Sequence, residues 1–204
     1  MFTGIIDTIG EVSGVEPLGE GRRLAIAAPW AGELAMGESV AVDGCCLTVV
    51  EQVPDAFAVE AVRESLTRTV IGSYAPGRRV HLERALALGD RLGGHLLLGH
   101  VDRVGSVQAM ERQGENRYIT IALPEPEDLR LVAPQGSIAV QGVSLTVLGV
   151  TDGGFRVSIV PHTWEATTFP ELRPGDGVNV EFDLIARYLA RLIGARAAPP
   201  GEEE

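Results

Sequence analysis

A chain of 204 residues and 21.6 kDa accommodates one ordinary domain or two small ones, and 45% apolar with 22% charged residues excludes a largely disordered or collagen-like chain. All 17 basic residues are arginine, which excludes chemistry that needs a lysine amine: a Schiff base, a pyridoxal phosphate linkage or a Walker A lysine. A net charge of −11 with no basic run argues against nucleic acid, and the absence of a basic leader or a long uncharged apolar run predicts a soluble, cytoplasmic chain without membrane contact.

Val/Ile-rich segments bounded by Gly, Pro or Asp predict strands near 2–12, 22–28, 39–42, 45–50, 57–61 and 79–84, six in all, with the spacing of a small antiparallel barrel. Pro29 to Met36 predicts a short helix, and RESLTRTVIG a further turn. After ALALGDRLGG (85–94) the pattern begins again. GIIDTIGEV (4–12) lines up with GHVDRVGSV (99–107), and RLAIAAP (23–29) with YITIALP (118–124), at a spacing of 95. One three-residue insertion changes the spacing to 98, where SVAVDGCCLTVV (39–50) matches SIAVQGVSLTVL (137–148) without a gap. Phe57 then pairs with Phe155, Val59 with Val157, Thr69 with Thr167, Val80 with Val178, and Glu83 with Glu181. The chain reads as a tandem duplication: one barrel over 1–95, a second over 96–183, and a C-terminal helix with its tail over 184–204. Pro126 to Val132 predicts a short helix matching the first. Leu184, Ile185, Tyr188, Leu189, Leu192 and Ile193 form an apolar helical stripe, with Arg187, Arg191 and Arg196 off it. That helix either packs on its own barrel or joins subunits, and GEEE is expected to fray.

The chemistry should lie where the two copies differ. Cys46 aligns with Ser144, each two residues before a threonine on the same strand face (Thr48, Thr146). Ile5 aligns with His100, each after a glycine, and Glu64-Ser65 with His162-Thr163. Simpler readings stand beside these: Cys46 as a small buried hydrophobe, His100 as a hydrogen-bonded strand-end histidine, Asp183 as a helix N-cap. Adjacent Cys45 and Cys46 are expected to be free thiols, since bridging neighbours strains a disulfide. No metal site is expected, because His95 and His100 lie five apart with no further ligand at a familiar spacing, and GGHLLLGH is not a dinucleotide fingerprint. Two related pockets with unequal polar groups suit two similar ligands held in different roles.

MFTGII, VDGCCLTV, GGHLLLGHVD, SIAVQGVSLTV, VPHTWEATTF and GDGVNVEFDLIARYL, in this order from Met1 to about Leu192, resemble the alpha-type riboflavin synthases. The resemblance implies a mainly β fold: two tandem six-stranded Greek-key barrels plus a C-terminal helix. It also implies a homotrimer with sites between subunits, and dismutation of two 6,7-dimethyl-8-ribityllumazines to riboflavin and 5-amino-6-ribitylaminouracil without cofactor or metal. By the same resemblance, Gly4, Ile5, Ile6, Cys46, Leu47, Thr48, Glu60, Ala61, Val62, Arg63, Glu64, Ser65, Gly99, His100 and Val101 would line an N-terminal lumazine site. Gln135, Ser144, Leu145, Thr146, Ser158, Ile159, Val160, Pro161, His162 and Thr163 would line a C-terminal one. Expected roles are His100 as acid/base, Cys46 and Ser144 as polar or nucleophilic groups, and Asp183 as an orienting partner, with water an alternative nucleophile. Gln135 stands where the family commonly has Lys, Gln141 where it has Asp or Asn, and Trp164 where it has Leu. The alternative function is a non-catalytic lumazine or flavin carrier or optical protein of the same fold.

Overall fold

A computed structural model of the protein describes residues 1–197; the GEEE tail and the side chain of Arg196 lie outside what is described. The first barrel comprises β1 (Thr8–Leu18), β2 (Gly21–Ala27), β3 (Ser39–Val42), β4 (Cys45–Val53), β5 (Ala56–Ala61) and β6 (Arg79–Arg84), closed in the order β1-β2-β5-β4-β3-β6. The second repeats that order with β7 (Arg103–Gln113), β8 (Asn116–Ala122), β9 (Ser137–Val140), β10 (Val143–Thr151), β11 (Gly154–Ile159) and β12 (Gly177–Phe182). All pairings are antiparallel, and alternation puts the branched apolar positions inside, so that Val59 and Val157 are both fully buried, as are Val80 and Val178. Register shifts recur at matching places, Val12/Gly14 with Val107/Ala109 and Val49/Glu51 with Val147/Gly149, and these bulges bend the long strands around so small a barrel.

The fold class and the six strands per repeat are as the sequence predicts; several boundaries differ. The first strand starts at Thr8 rather than near residue 2: Phe2 makes only an isolated bridge to Leu97, residues 3–6 leave the barrel, and Asp7 rejoins it by donating its N–H to the Leu82 carbonyl (3.0 Å). The expected helices at 29–36 and 126–132 shorten to 3-10 turns at Ala31–Glu33 and Pro126–Leu131. RESLTRTVIG forms α1 (Arg63–Arg68) and a 3-10 turn, Val70–Ser73; α2 (Pro161–Glu165) is its counterpart. The terminal helix, α3 (Leu184–Ala197), leaves its apolar stripe uncovered: Ile185, Tyr188, Leu189, Leu192 and Ile193 are each 51–66% exposed. No helix among the described residues is long and apolar enough to cross a membrane.

The barrels meet along a buried polar seam with near-twofold symmetry. His81 Nδ1 donates to the Gln141 carbonyl (2.8 Å), and its Nε2 accepts from the Thr168 N–H (2.8 Å). At the equivalent place Asn179 Nδ2 donates to the Asp43 carbonyl (2.8 Å), and its Oδ1 accepts from the Val70 N–H (2.8 Å). Asp43 and Gln141 also accept from the backbone N–H of His81 (2.8 Å) and Asn179 (2.7 Å), and the Tyr74 hydroxyl donates to Asp43. Gly44 and Gly142 touch at the centre, both in the left-handed region, where a Cβ on either would come within 2.7 Å of the other's backbone nitrogen.

Candidate active site

Cys46 and Thr48 face outward on β4, as Ser144 and Thr146 do on β10, while the intervening Leu47 and Leu145 point into the barrels. Pairing of β4 with β5 begins only at Val49–Val59, and that of β10 with β11 at Thr146–Ser158. Beyond those points the strands splay, and backbone from elsewhere enters the opening.

What enters crosses between barrels. Residues 97–99 lie along the N-terminal barrel, where the Gly99 carbonyl accepts from the Cys46 N–H (2.9 Å); residues 3–4 lie along the C-terminal barrel, where the Gly4 carbonyl accepts from the Ser144 N–H (2.9 Å). Both glycines have positive φ, 75° and 77°, and a Cβ at either would come within 2.6 Å of the Cβ beneath it, so glycine is required twice over. The expected grouping is therefore corrected: Gly4, Ile5 and Ile6 belong with Ser144, and Ile6 packs on the C-terminal core, whereas Gly99, His100 and Val101 belong with Cys46.

Each crossing segment is held by a buried carboxylate. Glu83 at the end of β6 accepts from the N–H groups of Thr3 (2.5 Å) and Gly4 (3.0 Å) and from the Thr3 hydroxyl (2.7 Å). Glu181 at the end of β12 accepts from Leu98 (2.8 Å) and Gly99 (3.0 Å). Burial raises both above the ordinary carboxylate value, and the N–H donors pull them partly back.

The two openings differ in their imidazoles. His95, from the linker, places Nδ1 2.7 Å from the Ser144 hydroxyl and donates its backbone N–H to the Thr3 carbonyl (3.1 Å). Burial lowers its pKa, with Asp183 acting in the opposite sense, so the ring is neutral at pH 7 and able to accept the Ser144 proton. His100 is exposed beside Cys46. Cys46 is the accessible thiol; Cys45 points inward, and burial pushes it up to about 12, with Cys46 and Glu181 adding to the effect.

The remaining expected residues fall around these openings. Glu60 and Ala61 end β5, Val62 caps α1, and Arg63, Glu64 and Ser65 form its first turn; Ser158 and Ile159 end β11, Val160 caps α2, and Pro161, His162 and Thr163 begin it. Leu47, Ala61, Leu145 and Ile159 turn their side chains into the cores, which leaves them only backbone groups to offer. Arg63 pairs with Glu20 (3.2 Å) and Glu64 with Arg68 (2.5 Å). Gln135 is exposed at positive φ (65°) in the turn before β9. Asp183 caps α3, accepting from the Ile185 N–H (2.8 Å). No group of three or more His, Cys, Asp or Glu side chains among the described residues is placed to hold a metal. Sequence reasoning weighs His95 only as a metal ligand and uses Glu83 and Glu181 only to fix the repeat register. The available signal is an acid at the same point of the last strand in each repeat, and a histidine after Gly93-Gly94.

Residues 3–85 and 98–183 each match the lumazine binding domain family. The chain is 46% identical to riboflavin synthase of Brucella abortus (strain 2308), over 94% of this chain and 98% of that protein. The chain belongs to the riboflavin synthase family. It is also 34% identical to the riboflavin synthase of Bacillus subtilis (strain 168), over 95% of this chain and 90% of that one. In fold it resembles the crystal structure of LumP complexed with riboflavin (TM-score 0.82, 23% identity, 89% of this chain and 99% of that one). This chain carries the lumazine binding domain twice, and the two openings are where its two copies differ.

Proposed function

We propose that the protein is a riboflavin synthase that seats one 6,7-dimethyl-8-ribityllumazine at each opening. One riboflavin and one 5-amino-6-ribitylaminouracil form from two lumazines, with no net gain or loss of atoms. Where β4 and β5, and β10 and β11, have lost their mutual pairing, the strand backbone not taken by the Gly99 and Gly4 carbonyls is suited to the polar edge of a flat heterocycle. Thr48 and Thr146, exposed on the same faces, suit the ribityl hydroxyls.

The observation that carries the reading is the inequality of the two openings. The reaction needs one lumazine to lose a proton from its C7 methyl group and the other to take a nucleophile at C7. Ser144 against neutral His95 is arranged for the second of these steps, in which the imidazole takes the hydroxyl proton as oxygen, from the serine or from a water it orients, adds to the ring. Exposed His100 beside Cys46 suits proton transfer at the other ring. Asp183, which affects His95 electrostatically while capping α3, orients this set.

Both openings face outward, so two lumazines meet only if openings from different subunits face each other. The uncovered stripe on α3 supports a homotrimer built through that helix, with each active site between an N-terminal and a C-terminal barrel. The free thiols fit a cytoplasmic setting. The test is to incubate metal-free protein with 6,7-dimethyl-8-ribityllumazine alone. One riboflavin per two lumazines consumed is expected; saturable binding without riboflavin would make the protein a carrier.

A further inference from the structure

We propose that Glu181 and Glu83 are positioning residues of the two sites, each anchored in one barrel and holding a backbone segment over the reactive side chain of the other. The proposal rests on the assignment of Cys46 and Ser144 to those sites. Glu181 ends a strand of the C-terminal barrel, yet its carboxylate spans two successive N–H groups, Leu98 to Oε1 and Gly99 to Oε2, and the Gly99 carbonyl then takes the N–H of Cys46 in the N-terminal barrel. His100 follows directly. Glu83 makes the mirror arrangement toward Ser144 through Thr3 and Gly4.

Two acceptors on two consecutive amides fix the plane of the peptide between them, and hence the direction of the carbonyl and of the next side chain. A glutamine in the same place has one acceptor oxygen and turns an NH2 group toward the second N–H, so it keeps the volume and loses the grip. Both residues are 4% exposed, which leaves water little access to replace them. The clamps are also unequal. The Thr3 hydroxyl adds a donor to Glu83 (2.7 Å), and Leu98 at the matching position of the other clamp has none to give. The segment carrying His100 is therefore the less firmly held of the two.

Cys46 reports on its clamp without any turnover, because Gly99 lies directly over it and the neighbouring Cys45 is sealed in the core. Iodoacetamide alkylation of Cys46 in the full chain, followed by peptide mass spectrometry at pH 7.5, is expected to be at least about fivefold faster in Glu181→Gln than in the unaltered protein, and changed by less than about twofold in Glu83→Gln. Riboflavin formation should fall about tenfold or more in both, mainly in kcat. Equal acceleration in the two variants, which is general loosening, or no acceleration in Glu181→Gln overturns the proposal. If Glu181→Gln does not fold, hydrogen exchange on the unaltered protein decides: the amides of Leu98 and Gly99 should be as protected as strand amides, and exchange as fast as that of exposed residues 87–93 overturns the clamp. The thiol readout needs no lumazine, so it stands or falls separately from the site assignment, which is tested by whether added lumazine shields Cys46.

Discussion

Replacing His81 by leucine should cost far more than replacing it by asparagine, although asparagine is the smaller and more polar residue. His81 is 1% exposed and joins the barrels with a donated bond to the Gln141 carbonyl and an accepted one from the Thr168 N–H, both 2.8 Å; the Thr168 hydroxyl lies 3.0 Å from the same ring nitrogen. Leucine leaves a buried carbonyl and a buried N–H without partners, at about 1–3 kcal/mol each, or about 4 kcal/mol together. For a chain of this size that is a fall of roughly 8–16 °C in Tm. Asparagine is what the protein already uses at the matching point of the seam, where Asn179 makes the same pair of bonds to Asp43 and Val70. The His81→Asn variant loses mainly the edge-on packing of the ring against Phe169 (5.5 Å), worth about 1 kcal/mol. Asn179→Leu should match His81→Leu within about 1 kcal/mol, since it strands the same two kinds of group. Calorimetry at pH 7.5 is the assay. Equal losses in His81→Asn and His81→Leu would show that ring volume, not the pair of bonds, holds the seam.

Four further outcomes follow from the site. Burial raises Glu83, so between its ordinary value of 4.5 and the raised value the native state binds more protons than the unfolded state, and the group's contribution to stability falls as pH rises through that window. The stability of Glu83→Gln minus that of the unaltered protein, from urea unfolding between pH 4 and 7, should therefore increase with pH; a flat difference contradicts the assignment. The neutral His95 ring should keep the rate constant down to below its ordinary value of 6.5, with the acid limb of kcat falling only beneath that point. Ser144→Ala and His95→Gln should each lower kcat roughly 10- to 100-fold, and a double variant no worse than either single one would show that they act as a unit. Gly94→Ala would put a Cβ 2.2 Å from the Thr3 carbonyl and 2.7 Å from the Ser144 Cβ; it should abolish most activity, whereas Gly114→Ala, with open space around it, should not.

The barrels are legible in the sequence because their cause is local: alternation over four to eleven residues, punctuated by Gly, Pro and Asp, repeated at a fixed spacing. The residues that differ between copies, Cys46 against Ser144 and Ile5 against His100, are legible for the same reason. The crossing is not. GIIDTIGEV alternates well enough to look like one strand from residue 2, and nothing local says that Glu83, 80 residues on, will take the N–H groups of Thr3 and Gly4 and draw the chain toward the other barrel. Grouping Gly4 with Cys46 assumes that each repeat serves its own barrel. His95 is hidden differently, since the linker that carries it is outside the repeat and its contact with Ser144 spans 49 residues.

The crossing also bears on how a duplicated chain runs an unsymmetrical reaction. If each barrel held its own opening closed, substitutions in one repeat would alter one site alone. Here each opening draws on both repeats: strand and side chain from one, overlying segment and carboxylate from the other. Four local differences then make the two openings unequal. Thr3 stiffens one clamp where Leu98 leaves the other with two bonds, Ser144 takes the place of Cys46, His100 that of Ile5, and the linker brings His95 to Ser144. The seam at His81 and Asn179 keeps the openings in a fixed relation while these positions diverge, because its bonds depend on neither. A variant that weakens the seam should therefore lose stability before it loses the Ser144–His95 contact, and a variant of either clamp should lose rate before it loses the seam.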